Sequence, residues 1–311
     1  MTVRCPRRAS GESPSGSPIR AESADRAWVL RALAGVYNRG VTHERLGRIR
    51  GYLLDMDGTL YIGDEAVPGA VAFMAALARA GAPHLVLTNN SSAARSRYRD
   101  RLRRLGMPVP LSAVLTSGGA SAEWLAAATT LRRPYVLGTR ALKAECRRAG
   151  LTPANDAPET ADGVLLGYDT GVTYASLTDA CLLVARGLPY FATHADRTCI
   201  SPRGLLPDAG ALIAAIEVTT GRTPTVLGKP EASMVEAGLR RLGTRIDETL
   251  ILGDQLDTDM MLGQRSGIFS VLTMTGEAAR RRREYEDVTP DLTVAHPGAL
   301  LERLRAAGAL P

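Results

Sequence analysis

The chain has 311 residues, 45% of them hydrophobic, which is enough for two domains with full cores. Residues 1–50 carry ten Arg and four acids, which accounts for the whole net charge of +6, so the neutral remainder disfavours a basic nucleic-acid groove. No run of 18 apolar residues and no charged start with an apolar core and cleavage site occurs, which argues against a membrane span and a secretory signal.

Cys5, Cys146, Cys181 and Cys199 lack metal-ligand spacing and fit reduced thiols in a cytoplasm. Residues 1–45 are expected to be a disordered basic extension, rich in Ser, Pro, Gly and Arg, ending in a short helix around Trp28-Val29-Leu30, Leu33 and Val36-Tyr37. The first segment of a core domain spans 46–131. It opens with the apolar run Tyr52-Leu53-Leu54, read as a buried strand ending in Asp55-Met56-Asp57-Gly58-Thr59-Leu60. Residues i and i+2 of a strand share a face, so Asp55 and Asp57 are expected to point the same way and to want a divalent cation between them. Two solvated acids in a turn is the plainer alternative.

A helix over 69–80 leads to strand His84-Leu85-Val86-Leu87-Thr88, which ends in Thr88-Asn89-Asn90-Ser91-Ser92. A hydroxyl and amides at a strand end entering a helix make an anion cradle, or Ser91 or Ser92 simply caps that helix. Helix 93–105 follows, then strand end Val114–Ser117. Gly118-Gly119 reads as a turn because the Lys-Ser/Thr ending of a phosphate loop is missing. A helix over 120–128 closes this segment, and Arg132-Arg133-Pro134 reads as a linker.

Residues 132–222 repeat strands and helices as a smaller inserted α/β domain. Its strand 163–167 runs into the loop Tyr168-Asp169 to Tyr174, and Ala192-Thr193-His194-Ala195-Asp196 follows a later strand. The core domain is expected to resume over 223–311, with strand Thr225-Val226-Leu227 ahead of Gly228-Lys229-Pro230 and with Pro230 opening a helix. Lys229 at a strand end calls for an anion, a carboxylate or a phosphate, or is simply a surface lysine. Strand Thr249–Leu252 ends in Gly253-Asp254-Gln255-Leu256-Asp257-Thr258-Asp259, a second acid cluster that wants a cation or donors. The alternation predicts a doubly wound parallel α/β fold.

These residues resemble the haloacid dehalogenase superfamily in four ordered motifs: Asp55–Thr59, Thr88-Asn89, Lys229, and Gly253-Asp254 with Asp259. Asp-Gly-Thr-Leu-Tyr, Thr-Asn-Asn-Ser-Ser, Gly-Lys-Pro and Leu-Asp-Thr-Asp are similar to its NagD-like, 4-nitrophenylphosphatase-like branch over 50–300. The resemblance implies a phosphatase with a Rossmann-like core and an α/β cap between the second and third motifs, since only 30 residues separate Asp57 from Thr88. It further implies an Asp55 nucleophile, an Asp57 general acid and base, and Mg²⁺ on Asp55, the Asp57 carbonyl and Asp254. Thr88, Asn89, Asn90 and Lys229 would bind phosphate, and Asp259 or Asp257 would support the metal or Lys229. Asp169 and His194 are substrate candidates on the cap. His194 stands where relatives usually show Asn, and Gln255 where Arg is frequent.

The expected substrate is a small phosphate monoester of the sugar, glycerol or glycolate type. A nucleoside monophosphate, or phosphotransfer through the same intermediate, is the alternative, and a non-catalytic binding module is disfavoured by the intact acids. The expected partners are that ester and, through the cap, a second copy, with neither nucleic acid nor membrane.

Overall fold

In the computed structural model, which describes residues 43–201, 204–276 and 287–311, the expected apolar runs form two parallel sheets. The expectations for residues 1–42 lie outside the described residues, which begin with helix α1 (His43–Gly47). The chain continues through β1 (Gly51–Asp55), a hairpin of β2 (Tyr61–Ile62) and β3 (Glu65–Ala66), α2 (Ala70–Arg79), β4 (His84–Thr88), α3 (Arg95–Arg104), β5 (Val114–Thr116) and α4 (Ser117–Ala128). Next come β6 (Pro134–Leu137), α5 (Arg140–Arg148), β7 (Gly163–Leu166), α6 (Tyr174–Ala185), β8 (Tyr190–Ala192), the antiparallel pair β9 (Thr198–Ser201) and β10 (Gly204–Pro207), α7 (Ala209–Thr220) and β11 (Thr225–Val226). The last stretch holds α8 (Ala232–Leu242), β12 (Thr249–Gly253), a π-helical turn at Leu256–Met260 running into α9 (Met261–Ser266), β13 (Phe269–Thr273), β14 (Leu292–Val294) and α10 (Pro297–Ala306).

The first sheet has the order β14-β13-β12-β1-β4-β5, all parallel. Helices cover both faces of such a sheet, which is why its strands read as unbroken apolar runs rather than alternating ones. Every residue of β1 and β12 is buried. From β1 the chain moves outward to β4 and β5 on one side, and returns later to β12 on the other. The strand order therefore reverses beside β1, and a crevice opens at its carboxyl end.

The second sheet is parallel in the order β11-β8-β7-β6. Alternate residues of its strands serve opposite faces. Val136, Leu165 and Leu227 pack with Ala122 and Leu125 of α4 and with Leu142 and Cys146 of α5. Tyr135, Leu137, Val164 and Leu166 cluster instead with Ala180, Val184, Ile213 and Ile216 of α6 and α7.

Three details depart from the expectations. Strand 225–227 does not resume the first sheet: β11 pairs with β8 at the edge of the second. A two-residue strand carries too little pattern of its own to choose a sheet, and the apolar contacts of Leu227 decide it. Gly118-Gly119 is the first turn of α4 rather than a free-standing turn, because the Thr116 side chain caps that helix by accepting the Gly119 N–H at 3.1 Å. Pro230 precedes the helix instead of opening it, since α8 starts at Ala232. Among the described residues Cys146 and Cys181 are free thiols, and no helix is long and apolar enough to cross a membrane.

Candidate active site

β1 delivers Asp55 to the crevice and stops there. The chain then turns through Gly58, whose φ of +89° suits glycine, and a Cβ at that position would lie 2.3 Å from Asp254 Oδ2. This close approach lets the tips of β1 and β12 share one acid cluster. The Thr59 hydroxyl lies 3.0 Å from Asp55 Oδ2 and 3.1 Å from Asp254 Oδ1, donating to one at a time. The Thr275 hydroxyl donates to the Gly58 carbonyl at 2.6 Å and ties the turn to the segment after β13.

Lys229 is buried and joins this cluster. Its Nζ donates to Asp55 Oδ1 at 2.6 Å and to Asp259 Oδ1 at 2.7 Å. Burial disfavours the ammonium, but the charges of Asp259 and Asp55 and their hydrogen bonds outweigh it, so its pKa shifts up and Lys229 stays protonated. Burial pushes the Asp259 carboxyl up against the pull of Lys229, and the Asp55 charge adds to the rise. Asp259 Oδ2 also accepts the Gln255 N–H at 3.3 Å, so both of its oxygens are engaged. Gly253 makes room for it, because a Cβ there would sit 2.2 Å from the Asp259 Cγ.

Asp55, Asp254 and Asp259 can each offer an oxygen within 4.8 Å of the others. Three carboxylates against one ammonium leave an excess of two negative charges when all are ionised. An all-oxygen donor set with that charge fits a hard divalent cation. With Asp259 turned to Lys229 and Gln255, Asp55 and Asp254 are the side chains placed to hold it.

Asp57 is placed differently from the expectation. β1 ends at Asp55, so the two acids do not share a strand face, and the Asp57 side chain keeps 60% of its surface open. Its carboxylate is not among the oxygens that group with Asp55, Asp254 and Asp259. The Tyr61 hydroxyl donates to Asp57 Oδ2 at 3.2 Å, and Arg101 Nη1 lies 4.0 Å from Oδ1. Desolvation by the surrounding protein and the Asp55 charge push the Asp57 carboxyl up to about 6, with Arg101, Tyr61 and Lys229 pulling back.

The loop after β4 is more structural than a simple anion cradle. Buried Thr88 accepts the Asn90 N–H at 3.1 Å, and Asn90 Oδ1 accepts the Ser92 N–H at 2.9 Å, so both side chains shape the turn. Asn89 clamps the neighbouring motif: its Oδ1 accepts the Lys229 N–H at 3.0 Å, and its Nδ2 donates to the Lys229 carbonyl at 3.1 Å. The same Nδ2 lies 3.2 Å from Asp196 Oδ1 on the second domain. Neither Ser91 nor Ser92 caps α3, whose N-cap is Ala94. Ser91 Oγ instead accepts the Tyr168 N–H at 2.9 Å and the Thr193 hydroxyl at 3.1 Å, which brings the mouth of the 168–174 loop to the crevice.

The other expected residues lie away from the acid cluster. Asp169 closes its own loop by accepting the Gly171 N–H at 2.9 Å. Asp257 is half-buried in the π-helical turn, where Asp259 and not Asp257 reaches Lys229. His194 does not face the crevice: it is fully buried, with Nδ1 2.9 Å from the Thr193 hydroxyl and Nε2 2.9 Å from Asp208 Oδ1. Both ring nitrogens are thus engaged inside the second domain. Tyr61 and Asp196 stand in stretches that the sequence singles out without assigning them a role, and Arg101 carries no distinguishing signal, because each gains its place from a contact that no periodic pattern encodes.

His194 makes a pH prediction. Burial opposes its charge, but the hydrogen bond to Asp208 and the charges of Asp196 and Asp208 outweigh both that and the opposing Lys229, so its pKa rises. A folded pKa above the unfolded value of about 6.5 stabilises fully below that pH and is lost as pH rises through the folded value. Urea unfolding of wild type and His194→Asn should therefore show a stability gap that is widest at acidic pH and narrows on alkalinisation. A gap that widens with pH would contradict the pairing.

Known proteins resemble the chain over most of its length. The model of haloacid dehalogenase-like hydrolases matches residues 52–152, and a second, HAD-hydrolase-like model matches 226–298. The chain is 35% identical over 243 residues to the 5'-nucleotidase YutF of Bacillus subtilis, covering 78% of this chain and 92% of that protein. It is 34% identical over 241 residues to an acid sugar phosphatase of Staphylococcus aureus, covering 78% of this chain and 92% of the relative. The solved 4-nitrophenylphosphatase of Thermotoga maritima superposes with a TM-score of 0.78 at 37% identity, over 83% of this chain and 98% of that one.

Proposed function

The chain belongs to the haloacid dehalogenase superfamily, among its NagD-like phosphatases, and from that premise we propose that it hydrolyses small phosphate monoesters through a phosphorylated Asp55. The observation that carries this reading is the gathering of Lys229 and Asp254 around Asp55 at the tip of β1.

Asp55 is the nucleophile. Its carboxylate oxygen bonds to phosphorus as the bond to the ester oxygen breaks and that electron pair leaves with the alcohol. Asp57, raised to about 6, supplies the proton the departing oxygen needs. As a carboxylate it then takes a proton from the water that attacks the aspartyl-phosphate, which frees inorganic phosphate and Asp55. Lys229 spends two N–H groups on Asp55 and Asp259, and its third serves a phosphoryl oxygen. Asn89 holds the Lys229 main chain in place for this, and the Thr88 turn presents the neighbouring backbone. Magnesium, held by Asp55, Asp254 and the Asp57 main-chain oxygen, would neutralise the phosphate and the acid pair.

The preferred esters are of the sugar, glycerol or glycolate type. Nucleoside monophosphates are the second reading, supported by the similarity to a 5'-nucleotidase. A cytoplasmic homodimer through the second domain belongs to the same proposal, supported by the exposed apolar side chains of Tyr174 and Leu182 on α6 and Val218 on α7. The test is phosphate release from a panel of alkyl, sugar, 4-nitrophenyl and nucleoside phosphates, with and without chelator. Turnover should vanish with EDTA and return with magnesium. Turnover undiminished by chelation, or phosphate passed quantitatively to an added polyol, would overturn the reading.

A further inference from the structure

Asp57 lies beyond the end of β1, where an isolated bridge to Tyr61 holds its main chain, and most of its side chain is open. Its aim therefore depends on side-chain contacts, and two residues supply them. Tyr61 is fully buried, and its main chain is joined to the same turn by the Gly58 N–H donating to the Tyr61 carbonyl at 2.8 Å. Its hydroxyl takes Asp57 Oδ2 at 3.2 Å.

Arg101 reaches across from α3 and lays its guanidinium 4.4 Å over the Tyr61 ring. The same side chain donates to the Gly63 carbonyl and lies 3.4 Å from Asp64 Oδ1, pinning the turn between β2 and β3. Its Nη1 stands 4.0 Å from Asp57 Oδ1, while its Nε is buried with no hydrogen-bond partner among the described residues. A guanidinium that leaves a buried donor unpaired is held by shape, and here the shape is ring, turn and acid together.

We propose that Tyr61 and Arg101 are a positioning pair, Tyr61 holding Oδ2 of Asp57 and Arg101, braced on the Tyr61 ring, facing Oδ1, so that the carboxyl is aimed at the ester oxygen of the leaving group. The inference rests on the proposed acid role of Asp57 and deepens it. An alkoxide is a poor leaving group and needs a well-aimed proton, whereas 4-nitrophenolate departs without one. Misaiming the acid therefore penalises one class of ester and spares the other. A purely structural loss would lower both alike.

The experiment compares kcat/KM, which reports ester-bond cleavage, for 4-nitrophenyl phosphate and for an alkyl phosphate that the wild type hydrolyses, both with saturating magnesium. Tyr61→Phe keeps the ring under Arg101 and removes only the hydroxyl. It should lower kcat/KM on the alkyl ester by about 10- to 100-fold and on 4-nitrophenyl phosphate by less than about threefold, a partial loss of the roughly 10²–10⁴-fold that general acid catalysis supplies. Arg101→Gln should give the same ratio in weaker form, and carries the test if Tyr61→Phe does not fold. Asp57→Asn is the reference. If it fails to discriminate the two esters, the acid role falls and the pair with it. If Asp57→Asn discriminates while the pair variants lose activity equally on both esters, or lose none, only the positioning role is overturned.

Discussion

Asp55→Asn should abolish turnover, with a fall in kcat of roughly 10⁴-fold or more, the scale seen when a covalent nucleophile is removed. Asn matches Asp in volume, so packing around β1 survives. What changes is the atom aimed at phosphorus, because an amide is not a nucleophile here. Asp55 is held for attack by Lys229 at 2.6 Å and by Thr59 at 3.0 Å, and an amide keeps the second contact while weakening the first. Losing one negative charge also relieves the cluster of three acids, so the variant should fold as well as the wild type. Acid-quenched protein incubated with labelled ester should carry phosphate in the wild type and none in the variant. Undiminished turnover or labelling in Asp55→Asn would place the nucleophile elsewhere.

Lys229→Met should cost both stability and activity. The ammonium is 3% exposed and bridges Asp55 and Asp259 with two charge-assisted hydrogen bonds. Methionine fills similar space but leaves two buried carboxylates without their cation. Breaking a buried ion pair from one side costs about 3–5 kcal/mol, because the orphaned charge stays desolvated. Urea unfolding in chelator should show a loss of that size, and added magnesium should stabilise the variant more than the wild type. Activity should fall with it, since the N–H group meant for the phosphoryl oxygen is gone. A variant as stable as the wild type would mean that water reaches these acids in a way the burial of Lys229 and Asp259 does not suggest.

Much of this architecture was legible in the chain. Apolar runs ending in Asp55, Thr88 and Asp254 mark strands whose tips carry polar groups, and β1, β4 and β12 are those strands. Parallel strands buried on both faces announce themselves by composition alone, and their carboxyl ends gather on one side of the sheet. Gly253 lies inside β12, and only the structure shows that it makes room for Asp259 and Gly58 for Asp254.

Other features depended on contacts that no local pattern encodes. β11 is two residues long and could add to either sheet; its register with β8 settles it. That pairing means Lys229 follows directly from a strand of the second domain, with Asn89 clamping it to the first. Asp257 and Asp259 are equivalent as letters, yet a π-helical turn points the second at Lys229. His194 has the residue type of a substrate contact, but Asp208 draws it into the interior.

The order of residues alone set the chemical inventory: acids, amide, hydroxyl and ammonium at strand ends, and a net charge confined to residues 1–50. Strand tips and composition are properties of short stretches, set by side-chain period and turn chemistry. Tertiary structure alone decided which acid meets which cation, which sheet owns β11, and that Tyr61 and Arg101 stand behind Asp57. Those outcomes turn on distances of a few ångströms between residues far apart in the chain, and such distances exist only once the two sheets have packed.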